Sequence, residues 1–217
     1  RIFTELRVDE IIVLDIGAAT SSRGPDWALI AELASECDMP MCYGGGVGSV
    51  EQARRLFGIG IEKVSVNSAA IHDVSLVSDL ADEFGSQSVV GSIDAFRSSR
   101  SRLTVRATRR GNCFRNQPVA WAETLVKSGA GEILLTAVHR EGTWTGFDIP
   151  LVRAVSDAVS VPVIAHGGCG CLADISDVVT TGGASAVGVG SYVVFQKKGF
   201  GVLVNFPKKE NLREMFS

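Results

Sequence analysis

Two glycine turns set 122 residues apart constrain the fold of this chain more than any other feature. One is Tyr43-Gly44-Gly45-Gly46-Val47-Gly48 and the other is His166-Gly167-Gly168-Cys169-Gly170. Each follows a short apolar run opened by a proline, Pro40-Met41-Cys42 and Pro162-Val163-Ile164-Ala165, and each leads into an amphipathic helical stretch. A glycine turn feeding a helix start gathers unpaired backbone N–H groups at the positive end of the helix dipole, a setting that favours phosphate. A lone turn of this kind most often serves geometry alone. Here the repeat extends well past the glycines. The same offset lays Glu10-Ile11-Ile12-Val13 on Glu132-Ile133-Leu134-Leu135, and Asp26, Leu29, Ile30 and Leu33 on Asp148, Leu151, Val152 and Val155. A one-residue slip then aligns Gly60, Val66, Asn67 and Ser68 with Gly183, Val189, Gly190 and Ser191. Two related halves in tandem are expected. Each carries its own phosphate cradle, so the ligand is expected to bear a phosphate at each end.

With 217 residues and 46% hydrophobic content, the chain can bury a full core as one domain over 1–217, since barrels commonly run to ~200 residues or more. A net charge of −3 leaves no basic footprint and argues against a nucleic-acid partner. No apolar run reaches the ~18 residues of a membrane span, and the N-terminus shows no signal-peptide pattern. The five cysteines, Cys37, Cys42, Cys113, Cys169 and Cys171, are scattered and read as reduced, cytoplasmic thiols. Cys169 and Cys171 have no second Cys or His pair at zinc spacing, so neither metal nor cofactor is expected.

Continuous apolar runs such as Asp9–Ile16 are what parallel strands buried on both faces produce. The expected strands are Asp9–Ile16, Met39–Tyr43, Lys63–Val66, Ser88–Asp94, Glu132–Val138, Val161–His166 and Ala184–Val189. Between them the expected helices are Trp27–Glu36, Val50–Phe57, Val74–Phe84, Val119–Lys127, Leu151–Val159 and Ala173–Thr180, with short ones at Ile2–Val8 and from Lys208. The basic segment Ala95–Gln117, with Arg97, Arg100, Arg102, Arg106, Arg109, Arg110 and Arg115, is the one long insertion. Its Leu103–Ala107 part alternates like a small hairpin, and insertions of this length are often lids, so the segment is either substrate-facing or a solvated basic loop. The alternation and the internal repeat, approximately 9–94 and 131–195, point to an α/β fold, a (β/α)8 TIM-type barrel with twofold half-barrel repetition. Only seven strands are counted for it, so the first strand of the eight is expected to be lacking in this chain.

Several runs together resemble the cyclase subunit of imidazole glycerol phosphate synthase. They are Asp9–Ile16, Tyr43-Gly44-Gly45-Gly46, Lys63-Val64-Ser65-Val66-Asn67-Ser68-Ala69-Ala70, Phe84–Val90, Ile93-Asp94 and Gly129–Thr136, and they cover nearly the whole chain. The resemblance implies a cytoplasmic enzyme of histidine biosynthesis. A glutaminase partner supplies ammonia, which crosses the barrel and reacts with a bisphosphorylated ribulosyl nucleotide to give imidazole glycerol phosphate and an aminoimidazole carboxamide ribotide. It implies that Asp94 is a catalytic acid/base, that Gly46, Asn67 and Ser68 hold one phosphate, and that Gly142, Gly168 and Ser191 hold the other. Thr136 is implied as a substrate contact. Glu10, Lys63 and Glu132 are implied as an ammonia gate at the opposite end, with Glu62 on the rim facing the glutaminase.

The departures are informative. The family's first catalytic aspartate and the gate's arginine belong to the strand that is not counted here. His139 and Glu141 stand where the family has aspartates, and His166 replaces a small or apolar residue beside the second cradle, where an imidazole would either crowd a phosphate or pair with it. His72 reads as a surface residue at a helix start. An open barrel edge is expected to invite a homo-oligomer. The tail, Ser191–Gln196 and Phe200–Pro207, with Glu36–Pro40, resembles more a paralogous branch that supplies ammonia for an acetamidino sugar in surface-polysaccharide biosynthesis. A third alternative is a non-catalytic barrel with a binding or assembly role.

Overall fold

Among the described residues, seven parallel strands wind in one direction around this molecule. In the computed structural model, β1 (Ile11–Leu14), β2 (Met41–Gly44), β3 (Lys63–Val66), β4 (Val89–Arg97), β6 (Glu132–Ala137), β7 (Val163–His166) and β8 (Ala186–Gly188) pair in that order. A short strand β5 (Leu103–Val105) pairs antiparallel with the end of β4, with Phe96 opposite Thr104, so the described part of the alternating run Leu103–Ala107 is a strand paired with β4 rather than a hairpin of its own. The structure describes residues 2–21, 24–97, 103–105, 117–195 and 201–215. Arg100, Arg102, Arg106, Ala107, Arg109, Arg110, Cys113 and Arg115 of the insertion, and Gln196 and Phe200 of the tail, lie outside those residues. Among the described residues β1 and β8 are not bonded to each other, so the eight-stranded sheet is a nearly closed (β/α) barrel.

Helices α1 (Ile2–Glu5), α2 (Ile16–Ser21), α3 (Trp27–Glu36), α4 (Val50–Ile59), α5 (Ser68–His72), α6 (Ser75–Phe84), α7 (Pro118–Lys127), α8 (Ile149–Ser156), α9 (Leu172–Thr180), α10 (Ser191–Val194) and α11 (Lys209–Glu214) alternate with the strands. Strand side chains alternate between faces, and this splits the core in two. Tyr43, Val64, Val66, Ile133 and Leu135 join Leu56 of α4, Leu80 of α6, Leu125 of α7 and Val155 of α8 in the layer between sheet and helices. Cys42, Val90, Leu134 and Ile164, with Ile12 against them, form a separate apolar cluster inside the ring. Burial contributes about 1.5–3 kcal/mol for each large side chain of the outer layer. No helix among the described residues is long and apolar enough to cross a membrane.

The repeat is visible atom by atom. Asp26 caps α3 by accepting from Leu29 N at 3.2 Å, and Asp148 caps α8 by accepting from Leu151 N at 3.4 Å. Gly48 N donates to Gln52 Oε1 and Gly170 N to Asp174 Oδ2, both at 2.8 Å. Asn67, before α5, has φ −128° and ψ −87°, and its partner Gly190, before α10, has φ −110° and ψ −86°. Gly45 has φ +143° and Gly167 φ +96°. A Cβ on them would lie 2.6 Å from Asp15 O and 2.8 Å from Ala137 O, the carbonyls at equivalent places in the two halves. Only glycine lets the chain pass so close to the neighbouring strand in these conformations.

Three further features differ from the sequence reading. The strand expected over Asp9–Ile16 is only β1, because Asp15 Oδ1 accepts from Ala18 N at 2.9 Å and so starts α2. The short helices α2, α5 and α10 were not anticipated, since four to six residues carry too little periodicity to register. His72 ends α5 rather than starting a helix, where a basic group suits the negative end of the dipole.

Gly167→Ala is expected to destabilise the fold by roughly 2 kcal/mol or more, because positive φ and a backbone clash add together. Gly58→Ala, inside α4 with open space around the new methyl group, is expected to stabilise it by about 0.5–1 kcal/mol. Urea unfolding of the two variants beside the parent measures both, and equal effects would contradict the geometry.

Candidate functional site

All seven parallel strands end on one face, so everything that follows them in sequence converges there. The turn after β2, the start of α5 after β3, and Asp94 on β4 line a cavity of about 410 Å³ together with Asp15, Gln52, Ser65 and Ser92. Gly46, Asn67, Ser68 and Asp94, grouped by the sequence reading, therefore share one cavity. Asn67 Nδ2 donates to Asp94 Oδ2 at 2.9 Å, which fixes the carboxylate against the helix start. Asn67 Oδ1 and Ser65 Oγ are buried with no hydrogen-bond partner among the described residues. An unpaired buried polar atom costs about 1–3 kcal/mol, which a polar ligand in the cavity can recover.

Across the same face, Thr136 of β6 lies in register with Asp94 on one side and His166 of β7 on the other. Thr136 Oγ1 and His166 Nδ1 are 3.1 Å apart, and His166 Nε2 is 3.6 Å from Glu141 Oε2. Ser191 Oγ donates to Glu141 Oε1 at 3.2 Å. Burial pushes the His166 imidazole below its usual range, against the opposing pull of the Glu141 charge. Gly142 and Ser191 thus stand with Glu141 and His166 in a second cluster that does not line the first cavity, and Gly168 lies against Arg140 and Gly146. Arg140 braces its loop by donating to Thr145 O at 3.2 Å and Gly146 O at 2.9 Å, while Gly146 N donates to Gly168 O at 2.8 Å.

His139 points elsewhere. Its Nε2 is 3.2 Å from Oδ2 of the buried Asp148, close but without hydrogen-bond alignment, and it is not among the residues lining the mouth cavity. Arg97 donates to the same Asp148 oxygen at 2.8 Å. Burial raises the Asp148 pKa, but the Arg97 hydrogen bond, the Leu151 amide and the charges of Arg97 and Arg140 outweigh it and hold the carboxyl below its usual range.

At the opposite end, Lys63 Nζ donates to Glu10 Oε2 at 2.9 Å and to Glu132 Oε1 and Oε2 at 2.9 and 3.2 Å. Burial works against the Lys63 charge, and the hydrogen bonds to both glutamates more than compensate, raising its pKa. Above this ring comes the apolar layer of Ile12, Cys42, Val90, Leu134 and Ile164. The Cys42 thiol there is pushed strongly upward by burial, aided by the glutamate charges, and stays neutral. Above that layer lie the hydroxyls of Ser65, Ser92 and Thr136, all buried. The Cys169 thiol, raised to about 12 chiefly by burial, is likewise inert.

Sequence reasoning passed over Asp15, Gln52, Ser65 and Ser92 as cavity residues. The signal was present in the period-2 spacing of Ser65 with Asn67 and of Ser92 with Asp94, which puts each pair on the inner face of its strand.

The profile of the family described as "Histidine biosynthesis protein" matches residues 1–198. The chain is 45% identical over 212 residues to the "Putative imidazole glycerol phosphate synthase subunit hisF2" of Pseudomonas aeruginosa, covering 98% of this chain and 84% of that protein. It is 36% identical over 220 residues to the "Putative imidazole glycerol phosphate synthase subunit HisF" of Leptospira borgpetersenii, covering 100% of this chain and 85% of that one.

Because the Asp148 pKa is depressed in the fold, its contribution to stability is present above the ordinary carboxylate value of about 3.9 and is lost as pH falls through the lower folded value. In Arg97→Met the burial effect is left largely unopposed, so the loss is expected to begin at a higher pH. Acid unfolding followed by circular dichroism should place the midpoint of Arg97→Met above that of the parent. Coincident midpoints would show that the pair does not hold the carboxylate.

Proposed function

This chain belongs to the histidine biosynthesis protein family, and on that premise we propose that it is the cyclase subunit of an imidazole glycerol phosphate synthase. In this reading a bisphosphorylated ribulosyl nucleotide lies across the mouth, one phosphate on Gly46, Asn67 and Ser68 and the other on Gly142, Gly168 and Ser191. Ammonia made by a glutaminase partner enters past Glu10, Lys63 and Glu132. The observation that carries the reading is the cavity in which Asp94 stands beside the first cradle.

The chemistry asks for a group that takes and returns protons, because ammonia addition, loss of water and ring closure each move one. Asp94 is that group. Asn67 keeps its carboxylate aimed into the cavity through the 2.9 Å hydrogen bond. The ring at the base suits a small neutral passenger. Three side chains of mixed sign satisfy one another, and in this reading they part transiently to let the passenger by. The apolar layer above it excludes ammonium in favour of uncharged ammonia. Thr136, in register beside Asp94, contacts the substrate from the other side.

A second reading, a relative that supplies ammonia for an acetamidino sugar in surface-polysaccharide biosynthesis, is favoured by one observation: the second cradle holds a carboxylate, Glu141, on Ser191. Complementation of a histidine-requiring strain separates the two, since only the first reading expects growth.

With ammonium salt and the bisphosphorylated substrate, the protein is expected to release the aminoimidazole carboxamide ribotide. Asp94→Asn is expected to lower turnover by about 10²–10⁴-fold, the usual worth of a positioned acid/base, with substrate binding retained. Unchanged turnover in Asp94→Asn would remove Asp94 from the mechanism.

A further inference from the structure

The two cradles share a backbone but not an occupant. In the first, Gly46, Asn67 and Ser68 open directly onto the mouth cavity. In the second, Gly190 and Ser191, the equivalents of Asn67 and Ser68, are covered by a side chain of the protein itself. Glu141 Oε1 takes the hydroxyl of Ser191, the repeat partner of Ser68, at 3.2 Å. The same oxygen lies 3.7 Å from where a Cβ on Gly190, the repeat partner of Asn67, would stand. Its other oxygen faces His166 Nε2 at 3.6 Å.

A carboxylate presents two acceptor oxygens and a negative charge, as one edge of a phosphate does. Glu141 is also placed to leave. It sits on the loop between β6 and α8, outside any helix or strand, and its side chain is 37% exposed. The loop beneath it is pinned independently, by Arg140 on Thr145 O and Gly146 O and by Gly146 N on Gly168 O. The side chain can therefore swing into solvent without unmaking the cradle.

We propose that Glu141 is an internal stand-in for the far phosphate of the ligand: in the empty protein its carboxylate occupies the second cradle, and the ligand binds by displacing it from Ser191 and His166. The inference rests on the two-phosphate reading above and adds a specificity function to it. A free monophosphate has to expel Glu141 from solution and competes poorly. A phosphate already tethered through the first cradle arrives at high local concentration and expels it readily. Glu141 thus favours ligands bearing two linked phosphates over those bearing one. His166, left facing the incoming phosphate, is the partner exchanged from one anion to the other.

The test is a titration of the ¹⁵N-labelled full chain with inorganic phosphate, reading amide shifts at Gly46 and Ser68 for the first cradle and at Gly168 and Ser191 for the second. In the parent the first cradle is expected to fill at lower phosphate than the second. In Glu141→Ala the second-cradle midpoint is expected to fall about tenfold, the factor released when a competing closed state is removed, while the first stays where it was. Glu141→Gln, which keeps the shape and loses the charge, should fall in between. Should Gly46 and Ser68 respond while Gly168 and Ser191 bind no better in Glu141→Ala, the stand-in is wrong and the two-cradle reading survives. If neither cradle responds in any variant, both fail together. The unmodified protein supplies an independent check: the His166 ring ¹⁵N shifts should move with the second-cradle phase, and a stationary ring would overturn the exchange.

Discussion

The close passage of two glycine turns under the carbonyls of the preceding strands is the constraint from which the rest of the architecture follows. At Gly45 and Gly167 the neighbouring carbonyls lie where a side chain would begin. The chain can therefore leave β2 and β7 only along a path that glycine permits, and that path delivers α4 and α9 to the outside of the ring. Each returning loop then folds over the turn, at Gly24 in one half and at Gly146 in the other, both with positive φ. Because the strands are parallel, this geometry, written twice, brings two helix starts, Ser68 and Ser191, to the same face. The two-point anion binding proposed for this mouth would thus follow from how the chain turns, before any charged side chain is considered.

Between that mouth and the opposite end the interior is stratified by chemistry. Glu10, Lys63 and Glu132 form a self-satisfied charged ring, an apolar layer follows, then buried hydroxyls, then Asp94 with Asn67. The layers come from the period of two along each strand: Lys63, Ser65 and Asn67 on β3 and just beyond it, and Glu132, Leu134 and Thr136 on β6, each step one layer higher. A half-buried lysine with two carboxylates persists because each charge is hydrogen-bonded within the ring. An unpaired charge there would be far costlier.

Much of the fold was legible in the sequence, and what was not has physical reasons. Trp27–Glu36 and Lys63–Val66 fall where periodicity placed them, because long amphipathic faces and buried parallel strands leave strong patterns. The end of β1 was hidden, since Asp9–Ile16 is continuously apolar apart from its charged flanks while Asp15 breaks the strand through a local side-chain bond. The paired glycines could be grouped from the internal repeat, whereas Asn67 and Asp94 were singled out only through the family resemblance, although both sit at strand ends where sequence position and spatial position coincide. The same resemblance singled out His139 and Glu141, but not their contacts, since they lie on a loop braced by Arg140 and by Gly168. His166 meets Thr136 and Glu141, two contacts that no local pattern in the sequence announces. Arg97 reached Asp148 through a pairing of elements 51 residues apart that no local pattern announces.

The central claim is that the two cradles serve one ligand. Calorimetry comparing the bisphosphorylated ribulosyl nucleotide with imidazole glycerol phosphate and with the aminoimidazole carboxamide ribotide, each bearing one phosphate, addresses it directly. One bisphosphate per chain, bound about 10²–10⁴-fold more tightly than either half, is the signature of two sites bridged by a single molecule. Two molecules per chain, or an affinity no better than that of the stronger half, would mean that the cradles act separately and that the duplicated turns build the barrel without defining its ligand.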